Sequence, residues 1–313
     1  MDGYLSVRPN PGLVSSTPVS QQTIKTAICC TGTGLHTGAR VNVSLHPAEP
    51  GTGIVFRRAD LGVEIPARFD LVCDTRLCTV LRASDRPDAR IGTVEHLMAA
   101  LIASGITNVV VEVDGPELPV LDGSAEPWMF LLDCAGKAEQ AAPLVEIEVL
   151  RPVRVEEGEA YVELRPGVAG CLELSLAIEF SAVAIGRQAL NMTLRGDAFR
   201  DIARARTFAL AHEIDGLRAA GLAKGGSLDN AVVVDGSRVL NPCGLRMQDE
   251  FVRHKLLDAV GDLALGGVLR GRFIGHRSGH ALNNRVLRAL FADPANWRST
   301  TRGSWPYEEA AAA

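Results

Sequence analysis

From Thr23 onward, apolar and polar positions alternate at the period of a β-strand. Val41-Asn42-Val43-Ser44-Leu45 alternates strictly, as a half-buried antiparallel strand does. Gly51-Thr52-Gly53 predicts a hairpin turn ahead of Ile54-Val55-Phe56. A helical period first appears from Thr93 to about Ser104, with Thr93 as its N-cap and Gly105 as its stop. Asn108–Val113 is a strand, and Asp114-Gly115-Pro116 a turn. A second helix runs from about Ser124 to Ala135. Lys137–Pro143 is small, polar and without period, so the domain boundary is placed there. Strands return at 145–149, 160–164 and 172–178, and helices are predicted at about 197–203, 209–220, 249–265 and 279–291. Each half therefore reads as strands followed by helices, the α+β pattern. The expected organisation is a mobile N-terminal extension (1–22), two similar α+β domains in tandem (23–140 and 141–300) and a frayed tail (301–313). No repeat is visible at the level of single residues.

Composition narrows this picture. A chain of 313 residues suits two domains of about 150 residues each. With 47% hydrophobic and 22% charged residues it can bury a sizeable core, which excludes disorder of the whole. A formal charge of −5 leaves no basic footprint for nucleic acid or an anionic membrane. No apolar run is long enough for a transmembrane helix, and the N-terminus lacks the pattern of a secretory signal. The seven cysteines include no CxxC pair and read as reduced cytosolic thiols. Any bound metal must then be held by histidines and carboxylates.

The most informative segment is Asp249 to Leu265. Phe251, Val252, Leu256, Leu257, Ala259, Val260, Leu263 and Leu265 cover most of its circumference, the mark of a buried helix. Yet His254, Asp258 and Asp262 fall at i, i+4 and i+8, one stripe up one face. Buried carboxylates need positive partners, and a divalent cation shared by His254 and Asp258 would serve. Taken alone, a surface helix with one His–Asp pair has the same spacing. The helix beginning at Thr93 offers Glu95 and His96 amid small and apolar residues. His96 is either a packing residue there or the third ligand of a His2Asp set, which leaves a position open for water. Glu95 beside it is placed to act as general base. Such a set drawn from both domains puts the site between them. His280 stands in the first turn of a further helix, where an imidazolium needs a compensating carboxylate. Asp262 is the natural partner, which would make a general acid; the alternative is an ordinary polar residue near a loop. Thr207 is either an N-cap or an oxyanion donor. Gly225-Gly226-Ser227 leads into a strand rather than a helix and is no dinucleotide fingerprint.

The segments TVEHLMAAL, ELPVLDGSAEPW, ARTF, GGSLDNAVVVD, DEFVRHKLLDAVGDLAL and SGHALNN occur in this order. From about Thr23 to Leu290 the chain thereby resembles the UDP-3-O-acyl-N-acetylglucosamine deacetylases of Gram-negative bacteria, zinc amidases of lipid A biosynthesis. The resemblance implies two α+β domains of similar layout, each with a small insert, around a shared active site. It implies a cytoplasmic monomer acting on a UDP-linked acylated amino sugar. Position by position, the zinc ligands correspond to His96, His254 and Asp258, the general base to Glu95, and the catalytic histidine to His280 with Asp262 orienting it. Thr207 corresponds to the oxyanion-stabilising residue, Phe208 to an aromatic that contacts substrate, and Lys255 to a lysine of the active-site region. Arg277 stands where relatives often carry lysine, and its charge suits a phosphate. Leu210, Ile214 and Leu217 fall in the insert near 208–223 that forms the acyl passage; they equally suit the apolar face of an amphipathic helix. Phe180 corresponds to a residue stacking on the uracil or sugar, although Ser181-Ala182-Val183 follows it where relatives often have His-Pro. A His2Asp set accepts Zn2+ or Fe2+. Two other readings share these residues: a zinc amidase acting on another N-acyl sugar, and a non-catalytic nucleotide-sugar or lipid-binding protein with a structural metal.

Overall fold

The computed structural model describes residues 19–167 and 170–301. The bulk of the expected N-terminal extension and of the tail lies outside the described residues. Six helices are described: α1 (Glu95–Ala103), α2 (Glu126–Ala135), α3 (Arg200–Ala203), α4 (Ala211–Ala219), α5 (Glu250–Ala264) and α6 (His280–Ala292). With the strands they form an α+β fold.

Two large sheets share one plan. In the first, strands run in the order Ile28–Thr33, Arg40–Pro47, Val109–Val113, Ile54–Arg58, Val63–Pro66. The central strand is antiparallel to Arg40–Pro47 and parallel to Ile54–Arg58. In the second sheet, Val268–His276 is central, antiparallel to Ala160–Arg165 and parallel to Leu172–Glu179. Val153–Glu157 and Arg187–Leu194 flank those two strands, so the order and directions of the first sheet recur. Val145–Val149 and Trp297–Thr301 extend this second sheet. The helices repeat the plan too. α1 precedes the first central strand and α2 follows it; α5 and α6 bracket the second in the same way. Each half also carries a three-stranded side sheet: Val72–Asp74, Val80–Arg82 and Arg90–Ile91 in one, Phe208–Leu210, Val232–Asp235 and Arg238–Val239 in the other.

The core joins both halves. In α1 all residues from Glu95 to Leu101 are buried, and in α5 all but two of its residues are. These two helices pack on each other so closely that a Cβ at Gly261 would lie 2.0 Å from the Glu95 carbonyl oxygen.

Three expectations from the sequence are corrected. Gly51-Thr52-Gly53 does not close a hairpin, because Val109–Val113 sits between the strands on either side of it. The positive φ of Gly51 and Gly53, 80° and 72°, instead turns the chain across the sheet edge. Lys137–Pro143 is no connector but a strand, antiparallel to Ser20–Ile24. Neither strand belongs to a large sheet, and Lys137–Pro143 alternates between exposed and half-buried positions, so no apolar period marks it. The helix expected at 197–203 is a 3-10 turn, Gly196–Phe199, running into the single turn of α3.

Candidate active site and metal centre

The length and apolar flanks of α5 bury it, and that burial brings its polar stripe against the N-terminus of α1. His96, His254 and Asp258 meet there, each at most 4% exposed, with their ligand atoms all within 4.8 Å of one another. Asp258 Oδ1 lies 3.5 Å from His96 Nε2 and 3.3 Å from His254 Nε2. Donors bound tetrahedrally at about 2.0–2.1 Å stand roughly 3.4 Å apart, close to both of these separations, so the set fits one divalent ion. The tautomer fits as well. His254 Nδ1 lies 3.1 Å from the Ala205 carbonyl, which only accepts, so Nδ1 carries the proton and Nε2 offers its lone pair. Burial pulls the His254 pKa down to about 4, against the pull of Asp258, and keeps the ring neutral. Burial opposes the charge on Asp258, but His254 and Lys255 outweigh it and hold the carboxyl well below its usual range. Lys255 Nζ donates to Asp258 Oδ2 at 2.8 Å.

A buried ion pair, Arg206–Glu250, sets the Ala205 carbonyl. The fully buried Glu250 accepts from Arg206 Nε at 2.8 Å, from the Arg206 backbone N–H at 3.0 Å and from the Arg246 backbone N–H at 2.7 Å. Both residues lie inside the ARTF and DEFVRHK segments, but Glu250 follows Asp249 and Arg206 precedes Thr207, so no apolar frame marks either as buried.

Around this centre the structure gathers most of the expected residues. One cavity of about 190 Å³ is lined by Glu95, His96, Thr207, Phe208, His254, Lys255, Asp258, His280 and Phe180, together with Leu35, Leu77, Cys78 and Thr93. Burial pushes the Glu95 carboxyl upward, opposed by the charges of His280 and His96. His280 Nδ1 pairs with Asp262 Oδ2 at 2.8 Å, and Asn283 Nδ2 donates to the same oxygen at 2.8 Å. Burial would lower the imidazole pKa, but the Asp262 charge and hydrogen bond prevail and raise it to about 9. Phe208 stands edge-on to Phe180, Phe251 and His254.

Two residues that the sequence offered as helix N-caps do not cap a helix. Thr93 is not the N-cap of α1; Val94 is. Thr93 instead has φ of 56°, a rare setting for a β-branched residue, and its hydroxyl donates to buried Glu117 at 3.1 Å. Thr207 caps no helix. It leads into Phe208–Leu210, its N–H donating to the Gly123 carbonyl at 2.8 Å and its carbonyl accepting from Val232 at 2.8 Å. This leaves its side chain on the cavity wall.

Two further cavities adjoin. One of about 410 Å³ shares Phe180 and Lys255 with the first and reaches Arg277, whose guanidinium pairs with exposed Glu159. The other, about 420 Å³, shares Leu77 and Cys78 and is bounded by Leu217 and Leu222 at the end of α4. Leu217 is thus brought to a cavity. Ile214 is not among its lining residues, and Leu210 packs against the core.

The sequence model of the UDP-3-O-acyl N-acetylglycosamine deacetylase family matches residues 21–292 of this chain. A UDP-3-O-acyl-N-acetylglucosamine deacetylase of Phenylobacterium zucineum (strain HLK1) is 49% identical over 286 residues, covering 90% of this chain and 96% of its own. Its counterpart in Idiomarina loihiensis is 46% identical over 287 residues, covering 90% and 93%. That of Shewanella violacea is 46% identical over 283 residues, covering 89% and 92%.

Proposed function

The chain belongs to the UDP-3-O-acyl N-acetylglycosamine deacetylase family, a family of hydrolytic deacetylases, and from that premise we propose that it removes the N-acetyl group of UDP-3-O-(3-hydroxyacyl)-N-acetylglucosamine, using one Zn2+ held by His96, His254 and Asp258. The observation that carries this reading is the convergence, on one small cavity, of a three-donor ligand set, a buried carboxylate and a His–Asp pair poised to be protonated. Fe2+ suits the same donors. When bound, the ion supplies a Lewis acid for the acetamide carbonyl and lowers the pKa of water at its open position.

The chain's own residues do the rest. Glu95 takes a proton from the attacking water as the C–O bond forms. The Thr207 hydroxyl donates to the oxyanion that develops on the acyl carbon. His280, protonated below about pH 9, delivers its proton to the amine nitrogen as the C–N bond breaks. Acetate leaves and a free 2-amino group remains. Asp262 orients His280 and keeps it charged. Phe208 and Phe180 contact the sugar and base, Lys255 and Arg277 face the diphosphate from the cavity of about 410 Å³, and the acyl chain runs along the apolar cavity past Leu217. The recurring strand order supports two tandem domains meeting at this site. Family membership supports placing the reaction in the cytoplasm at the committed step of lipid A biosynthesis, with the chain acting as a monomer. Among the described residues, no helix is long and apolar enough to cross a membrane.

The test is acetate release from that substrate by metal-stripped protein before and after one equivalent of zinc. Turnover that appears with zinc supports reaction and site together. Tight zinc binding without acetate release overturns the substrate and favours a different amide or a binding protein.

A further inference from the structure

Among the described residues, Thr79 alone hydrogen-bonds to both Glu95 and Asp262. It sits between Cys78 and the strand Val80–Arg82 of the first side sheet, 2% exposed. Its backbone N–H donates to Glu95 Oε2 at 3.1 Å, and its hydroxyl donates to Asp262 Oδ1 at 2.5 Å. Asp262 Oδ2 is already taken by His280 and Asn283, so the hydroxyl of Thr79 is the side-chain donor that fixes the other oxygen. With Oδ2 alone held, the carboxylate can swing about its Cβ–Cγ bond, and His280 swings with it. With both oxygens held, the plane is set.

We propose that Thr79 is a positioning residue: one side chain and its own amide lock the acid His280, through Asp262, in register with the base Glu95. The lock crosses the molecule, since 183 residues separate Thr79 from Asp262. A single residue that holds both partners makes their separation insensitive to small shifts between the halves, which hydrolysis needs when one group removes a proton and the other delivers one. This inference rests on the roles given above to Glu95, Asp262 and His280.

Thr79→Val tests it, because valine keeps the amide bond to Glu95 and removes only the hydroxyl. In the zinc-loaded full chain, kcat for acetate release is expected to fall about tenfold to a hundredfold, the effect of losing one hydrogen bond to a charged group. KM and zinc stoichiometry are expected to stay within about twofold. Thr79→Ser restores kcat. A Thr79→Val enzyme with wild-type kcat overturns the proposal, as does a loss that serine fails to rescue or one confined to KM. A second readout does not depend on turnover. The Nδ1–H proton of His280, assigned by its absence in His280→Ala, is expected at the same downfield NMR position in wild type and Thr79→Ser and displaced in Thr79→Val; an undisplaced signal overturns the proposal. If the wild-type protein releases no acetate, the assigned substrate fails while this comparison still decides the role of Thr79. Should Thr79→Val not fold, Thr79→Ala serves for both measurements.

Discussion

Asp262 accepts from Thr79, Asn283 and His280 at once, and it is the charge facing an imidazole raised to about 9. The sign of the resulting pH dependence follows directly. His280 must be protonated to serve as the acid, so kcat is expected to hold through neutrality and fall as pH rises through about 9. In Asp262→Asn the dominant raising influence is gone while burial still lowers the pKa. The alkaline fall is then expected to move to lower pH, read from a kcat–pH profile; a profile that keeps its limb near 9 removes His280 as the acid. Glu95 is separable from the ligands by the same kind of measurement. Glu95→Gln is expected to reduce kcat by about 10²–10⁴-fold with zinc stoichiometry unchanged, measured by metal analysis beside turnover. These residues were legible in the sequence because histidines and carboxylates stand out against apolar flanks at helical spacing. Thr79, Glu117 and the Arg206–Glu250 pair were not. A lone threonine carries no pattern, and its partner is far away in the chain.

Between elements, the decisive contact is that of α5 with the start of α1. Gly261 lies one turn beyond Asp258 and presses on the backbone of Glu95, whose side chain is the proposed base and whose neighbour is the proposed ligand His96. Gly261→Ala would drive a methyl to 2.0 Å from a carbonyl oxygen that belongs to a helix backbone and has no rotamer to retreat into. Overpacking of this kind costs about 1–3 kcal/mol. Because the displaced atoms carry the site, kcat is expected to drop along with the melting temperature; calorimetry and turnover on one preparation check both, and a stable, fully active Gly261→Ala protein would show that the helices part without moving Glu95. The long helices were readable since period, length and apolar content agreed. The central strand Val268–His276 was not: Arg270, Gly271, Arg272 and Gly275 interrupt the apolar alternation, and its place in the middle of the sheet comes from tertiary pairing on both sides. Lys137–Pro143 escaped for the opposite reason, a ribbon strand with too little buried surface to leave a pattern.

At the scale of the molecule, the two sheets repeat one topology that no residue-by-residue repeat announces, since pairing order depends on which strands meet and not on which side chains recur. The consequence is a donor set split between the halves: His96 comes from α1, and His254 and Asp258 from α5. An ion bound by all three binds the folded chain only, so its binding free energy adds to stability by mass action, about 2.7 kcal/mol when free metal is a hundred times its dissociation constant. The melting temperature of metal-stripped protein is therefore expected to climb with the logarithm of added zinc above the dissociation constant. Either single substitution, His96→Ala in one half or His254→Ala in the other, is expected to abolish that climb, because neither remaining pair of donors closes the site. Differential scanning calorimetry over a zinc series decides the matter. A climb that survives His96→Ala places the ion on α5 alone, and a melting temperature indifferent to zinc in the unaltered chain removes the metal from the proposed chemistry altogether.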